Sequence, residues 1–274
     1  MFQPKFGVSL VVLTHNLTDE WIAAITDSHI ETLEITPYLF GEDRLPTNRE
    51  ALKALLHRTG IRVASIHAKS AEEYDFSAID ERHWREAVAG FAESLDAAVD
   101  LDASIIVVHA SVEPIDPAER TRRLAQAKRA LVEFQPLCRE AGKKIAVELL
   151  PRTCLANTVE ETLELIDGLD EDTFGVCLDT NHLMDRHATL SDEVRRLDGR
   201  LITTHLSDYH GVDEQHLMPG KGILDWEAFM ATLAEIDYAG PFNLESRPEA
   251  DTPAERVRCM EECFDRLHSL LHEA

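Results

Sequence analysis

Residues 104–149 read SIIVVH (104–109), ASVEPIDPAE (110–119), RTRRLAQAKRALVEFQPLCREA (120–141), GK (142–143) and KIAVEL (144–149). The first and last segments are short, apolar and β-branched, the pattern of strands buried on both faces. The 22-residue segment between them repeats its apolar residues three and four apart, the period of an amphipathic helix. Two buried strands joined by a helix form a β/α/β unit, whose strands run parallel.

The same unit recurs in both directions along the chain. Further apolar runs lie at 6–13, 32–35, 62–67, 174–178, 201–206 and 241–245, and further amphipathic stretches at 84–99, 159–166, 226–236 and 255–271. Capping signals open several of these helices: Thr158 before Glu161, Asp225 before Ala228, and Thr252 before Pro253 and Glu255. Eight strands alternating with about eight helices, without a linker or a break in composition, predict an α/β fold, a single (β/α)8 barrel spanning 1–274. A doubly wound open sheet would carry a glycine-rich turn after its first strand, whereas residues 13–16 read LTHN.

Composition narrows the function. Hydrophobic residues make up 44% of the 274, enough for a sizeable core. The chain holds 27 basic and 51 acidic residues, a formal charge of −24, and only seven of the bases are lysine. Such a surface repels a phosphate backbone, so nucleic acid is not an expected partner. It also suits high ionic strength, where salt screens self-repulsion. No apolar run approaches 18 residues and the N-terminus lacks a signal-peptide pattern, so no membrane partner and a cytoplasmic location are expected. Five scattered cysteines, an odd number, are expected to be reduced thiols. The sequence leaves homo-oligomer formation open.

The polar residues at the strand ends carry the chemistry. His67, His109, Glu148, Asp179, His205 and Glu245 each close one apolar run, one per strand from the third to the eighth. Active sites of such barrels are built on the C-terminal rim of the strands. Six imidazole or carboxylate groups buried there need a shared partner, and a divalent cation supplies one. Residues 178–182 (LDTNH) add His182 three positions after Asp179. Residues 205–222 (HLSDYHGVDEQHLMPGKG) form a long polar connection that holds Glu214, His216 and, between two glycines, Lys221, a candidate contact for a substrate phosphate or hydroxyl.

The ordered set Glu148 (AVELLP), Asp179 (VCLDTNH), His205 (TTHLSD) and Glu245 (FNLES), with the His-x-x-Pro-Gly-x-Gly turn at 216–222, resembles the xylose-isomerase-like TIM barrels along essentially the whole chain. That superfamily includes sugar and sugar-phosphate isomerases and epimerases, inositol-pathway enzymes and the endonuclease IV repair enzymes. The resemblance implies that Glu148, Asp179, His205 and Glu245 bind one divalent metal ion (Mn²⁺, Mg²⁺, Co²⁺ or Zn²⁺), with Glu148 and Glu245 as the catalytic pair. The implied substrate is a small polyhydroxylated carbonyl compound, isomerised or epimerised by proton abstraction through an enediolate. His182 would hold a substrate oxygen, as its counterpart does in tagatose and psicose epimerases, and His67, His109 and His216 would line the pocket. Those epimerases carry an arginine shortly after the strand-seven histidine. Here that region reads DYHG (208–211), and Arg152 or Arg247 are the candidates for a similar job.

Two other readings stay open. Endonuclease IV uses a three-zinc site with extra ligands at positions resembling His67, His109, His182 and His216, and Glu214 stands where it has Asp. Against that reading are the −24 charge and the lack of Lys/Arg-rich rim loops. Related barrels also act as lyases or dehydratases on a keto-sugar or a dehydroshikimate, beginning with the same proton abstraction. A non-catalytic sugar-binding barrel would have no use for the Glu148/Glu245 pair.

Overall fold

The structure is a computed structural model that describes residues 3–37 and 45–273. Eight parallel strands close into a barrel in chain order: β1 (Lys5–Ser9), β2 (Thr32–Ile35), β3 (Arg62–His67), β4 (Ile105–Val108), β5 (Lys144–Glu148), β6 (Phe174–Asp179), β7 (Leu201–Leu206) and β8 (Pro241–Leu244), with β8 paired to β1. Helices surround them: α1 (Leu10–Leu13), α2 (Asp19–Thr26), α3 (Leu45–Thr59), α4 (Glu81–Asp100), α5 (Arg120–Ala141), α6 (Val159–Ile166), α7 (Leu190–Leu197), α8 (Trp226–Glu235) and α9 (Pro253–Glu273). The expected (β/α)8 barrel is the observed one. No helix among the described residues is long and apolar enough to cross a membrane.

The local reasons are visible in the sequence. Helix α5 buries Ala127, Ala130, Leu131, Phe134 and Cys138, one stripe at helical spacing, and ends at Gly142, whose left-handed backbone (φ 65°) suits glycine. Thr158 and Asp225 accept from the backbone N–H of Glu161 and Ala228, capping α6 and α8. Thr252 and Glu255 bond reciprocally at the start of α9, a capping box.

One expected boundary differs. The run 6–13 is not one strand: β1 stops at Ser9, and Leu10–Leu13 coil into the single turn α1. Apolar residues continue because Leu10 and Leu13 are buried in the core as well.

Inside the barrel, Ile105, Val107, Ala146 and Cys177 form a buried cluster separate from the core between strands and helices. Side chains two apart on a strand share a face. Val107, Ala146 and Cys177 therefore lie beneath His109, Glu148 and Asp179, and give these groups an apolar floor.

Candidate active site

Pairing between strands sets the geometry of the rim. Asp179 is directly opposite His205 across β6 and β7, and Glu148 opposite Cys177, two residues below Asp179. Ligand atoms of Glu148, Asp179, His205 and Glu245 lie within 4.8 Å of one another. His205 Nδ1 sits 3.2 Å from Glu148 Oε1 and 3.1 Å from Glu245 Oε2, with Asp179 Oδ2 at 4.0 Å. Of the four side chains only Glu245 has appreciable exposure, 14%.

The opposite ring nitrogen of His205 points at Glu34, a residue the sequence reading passed over. Glu34 is buried on β2, and its Oε2 lies 3.0 Å from His205 Nε2. Register places Ser9, Glu34 and Ser65 abreast on β1, β2 and β3. The two hydroxyls donate to Glu34, Ser9 Oγ at 3.1 Å and Ser65 Oγ at 2.8 Å. With its Nε2–H donated to this anchored carboxylate, His205 turns its Nδ1 lone pair toward the cluster. Burial opposes ionisation of Glu34, yet the charge and hydrogen bond of His205 bring its pKa down to about 2.

Three other histidines are oriented the opposite way. His67, His182 and His216 direct Nδ1 at the carbonyls of Ala68, Leu149 and Glu245, at 2.8, 2.8 and 3.1 Å. Each N–H is donated to a backbone carbonyl, leaving Nε2 for the cavity. His67 Nε2 and His109 Nε2 lie 3.2 and 3.1 Å from Glu148 Oε2, and the Nε2 atoms of His182 and His216 lie 3.7 and 3.8 Å from Glu214 Oε2. An imidazole lone pair aimed at a carboxylate is repulsive unless the ring is protonated or a cation stands between them. Protonation is what the bare site favours: against burial, Glu148 raises His67 to about 9, and Asp179, Glu214 and Glu148 raise His182 to about 10. His109 is lowered, by burial.

The donor set fits a divalent cation. Three carboxylates and an imidazole converge, and Asp179 Oδ2 is buried with no hydrogen-bond partner among the described residues. Burial raises the pKa of Glu245 against the opposing charge of His205, and the charges of Asp179, Glu34 and Glu148 push it the same way as burial, as crowded carboxylates do. Mixed oxygen and nitrogen donors of this kind suit Mn²⁺, Mg²⁺, Co²⁺ or Zn²⁺.

The connection 205–222 presents Glu214 and His216 because Asp208 holds it shut. Buried Asp208 accepts from Tyr209 N and Leu224 N through Oδ1, and from Gly220 N and Trp226 Nε1 through Oδ2. A Cβ at Gly222 would overlap the Tyr209 carbonyl oxygen and Asp208 Oδ1, so the turn tolerates only glycine there. Lys221 is exposed on this turn, and no hydrogen bond or ion pair among the described residues ties its ammonium to the cluster. Arg152 is occupied by Glu113, Asp213 and Glu214 at 2.7, 2.6 and 2.7 Å. It therefore steadies Glu214 in this structure. Arg247 is exposed, in a cavity that it shares with Glu245 and His216. Asp179 and His182 begin a 3₁₀ segment, Thr180–Thr189, broken at Met184 (φ 53°), rather than a regular helix.

Known proteins bear on this arrangement. The sequence profile of the xylose isomerase-like TIM barrel matches residues 22–263. The D-psicose 3-epimerase of Enterocloster bolteae is 30% identical over 118 residues, covering 42% of this chain and 38% of its own. The inosose isomerase of Bacillus subtilis is 30% identical over 130 residues, 43% of this chain and 46% of its own. The crystal structure of a D-tagatose 3-epimerase-like protein superposes with a TM-score of 0.83 at 25% identity, over 98% of this chain and 97% of the other. A profile match of that length, on a closed eight-stranded parallel barrel, places the chain in the xylose isomerase-like TIM-barrel family.

Proposed function

We propose that the chain, as one domain over 1–274, is a divalent-metal-dependent isomerase or epimerase of a small polyhydroxylated carbonyl compound. The observation that carries this reading is the placement of Glu148 and Glu245 about His205 Nδ1, 3.2 and 3.1 Å away, beside Asp179 Oδ2, which accepts no hydrogen bond among the described residues. The names of the relatives, a psicose epimerase and inosose isomerases, support the same class of substrate.

Glu148, Asp179, His205 and Glu245 would hold the cation, which acidifies the C–H next to a carbonyl by polarising the carbonyl and the adjacent hydroxyl. Glu148 and Glu245 come from strands five and eight and approach the centre from different sides. One carboxylate takes the proton from the substrate carbon, giving an enediolate, and either the same carboxylate or the other returns it. His182, with its Nδ1–H committed to Leu149 O, offers Nε2 to a substrate hydroxyl. His67 and His109, against Glu148 Oε2, fix which lone pair that carboxylate has free.

Metal analysis of the purified protein, followed by a panel of ketoses, aldoses and inososes, tests the proposal. About one divalent cation per chain and turnover of at least one of these sugars are expected. A protein without stoichiometric metal, inert on the whole panel, would overturn it.

A second reading rests on one observation. His67 and His109 share Glu148 Oε2, and His182 and His216 share Glu214 Oε2, a set able to hold more than one cation. Three bound zinc ions together with incision of a duplex at an abasic site would favour an endonuclease IV-like enzyme. The net charge of −24 favours the sugar chemistry.

A further inference from the structure

We propose that the substrate carries a terminal oxyanion, and that Arg247 and Arg256 form the subsite for it. This inference rests on the isomerase or epimerase reading and narrows its substrate class. A cavity of about 470 Å³ opens from the cluster along β8 and the turn α1, lined by Glu245, His216, His15, Arg247 and Arg256 among others. Glu245 is the cluster's exposed member, so this cavity touches the proposed proton acceptor directly. Its volume falls in the range of small-molecule sites.

The two guanidinium groups are placed unlike the other arginine of this rim. Arg152 binds three carboxylates, whereas neither Arg247 nor Arg256 has a carboxylate within ion-pair distance among the described residues. Arg256 is held by its Nε–H, which donates to Ala250 O at 2.9 Å, and the rest of its guanidinium has no partner among the described residues. Arg247 is anchored through its backbone N–H, bonded to His216 O at 2.8 Å. Both also line an adjoining cavity that includes the exposed Glu249 and Asp251, neither of which pairs with them. In a chain with 51 acidic and 27 basic residues, two unpaired arginines facing the cavity of the candidate base are an uncommon placement. A neutral sugar would draw only ordinary hydrogen bonds from the two guanidinium groups. A phosphate ester or a sugar carboxylate draws charge-assisted ones, because a guanidinium fork matches both oxyanions, and the pair offsets the repulsion of an anion by the acidic surface.

Two measurements test this, on the protein as purified and on the variants Arg247→Ala and Arg256→Ala and their combination. The first is calorimetric titration with inorganic phosphate. The wild type should bind it, and the double variant should bind it about 10- to 100-fold more weakly, the loss expected for charge-assisted hydrogen bonds. The second compares kcat/KM for a neutral ketose, its terminal phosphate ester and the corresponding sugar acid. One of the anionic forms should exceed the neutral parent at least about tenfold, and that ratio should collapse in the double variant. The preferred anion tells phosphate from carboxylate. Equal phosphate binding by wild type and double variant, or preference for the neutral ketose, would overturn the proposal. Arginine-dependent phosphate binding without turnover of any sugar would uphold the subsite and overturn the isomerase reading instead.

Discussion

Glu34→Ala should weaken divalent-metal binding without touching any of the four proposed ligands. The lost contact is the 3.0 Å bond from His205 Nε2–H, fully buried and therefore unscreened by solvent. A hydrogen bond to a charged group is worth about 1.5–3 kcal/mol. The part that reaches the metal should correspond to a 10- to 100-fold loss of affinity, the usual effect of removing the carboxylate behind a ligating imidazole. The truncation also strands the Ser9 and Ser65 hydroxyls, adding a cost to folding of about 1–3 kcal/mol for each that stays unpaired. Glu34→Gln separates the two effects. Its amide oxygen can still accept from His205 and its volume is unchanged, so folding should be nearly preserved while affinity falls about tenfold through loss of the charge. Competition for Co²⁺ against a chromophoric chelator reads the affinity, and thermal melting of the metal-free protein reads the fold. Co²⁺ affinity of the Ala variant within about threefold of wild type would show that Glu34 does not orient His205 for the metal, against the expected loss.

Further outcomes follow from the same geometry. Asp179→Asn should lose stoichiometric metal yet still fold cooperatively, because Oδ1 still accepts from Asn181 N; an unfolded variant would contradict this. The metal-free protein should lose stability as pH rises, checked by melting from pH 6 to 10. The folded-state values of His67 and His182 are raised to about 9 and about 10, so their contribution is complete below about 6.5 and disappears as pH passes through those values. A bound cation should flatten that profile, since it replaces the protons as partner of the carboxylates. Molar KCl should raise the melting temperature through screening of the −24 charge, whereas a flat response would mean that self-repulsion is unimportant.

Much of the fold and most of the rim were readable in the sequence, for a specific reason. His67, His109, Glu148, Asp179, His205 and Glu245 interrupt apolar runs at or next to their ends, where a parallel barrel places its active site. Glu34 breaks the four-residue run TLEI in the same way, as its third residue. Its signal was weak because that strand is short, and because its role depends on the register that aligns Ser9, Glu34 and Ser65. Arg256 carried no sequence signal, since only the packing of α9 beside α1 and its bond to Ala250 O bring it to the cavity. The role of the Pro-Gly-x-Gly turn was likewise hidden: its glycines surround Asp208 rather than contact the cluster. The single turn α1 escaped because a buried helical turn and a buried strand are equally apolar over four residues.

Isotope exchange decides whether Glu148 and Glu245 move a proton at a carbon next to a carbonyl, as proposed. Metal-loaded protein turning over its sugar in D₂O should place deuterium on the substrate carbon, because the proton resides on an exchangeable carboxyl oxygen during the reaction. Glu148→Gln and Glu245→Gln, which keep side-chain volume and remove the base, should each abolish turnover in a two-base epimerase. In a one-base isomerase, one variant should be dead and the other merely weakened. An active wild type that incorporates no deuterium would contradict the account and point to a hydride shift or a hydrolysis.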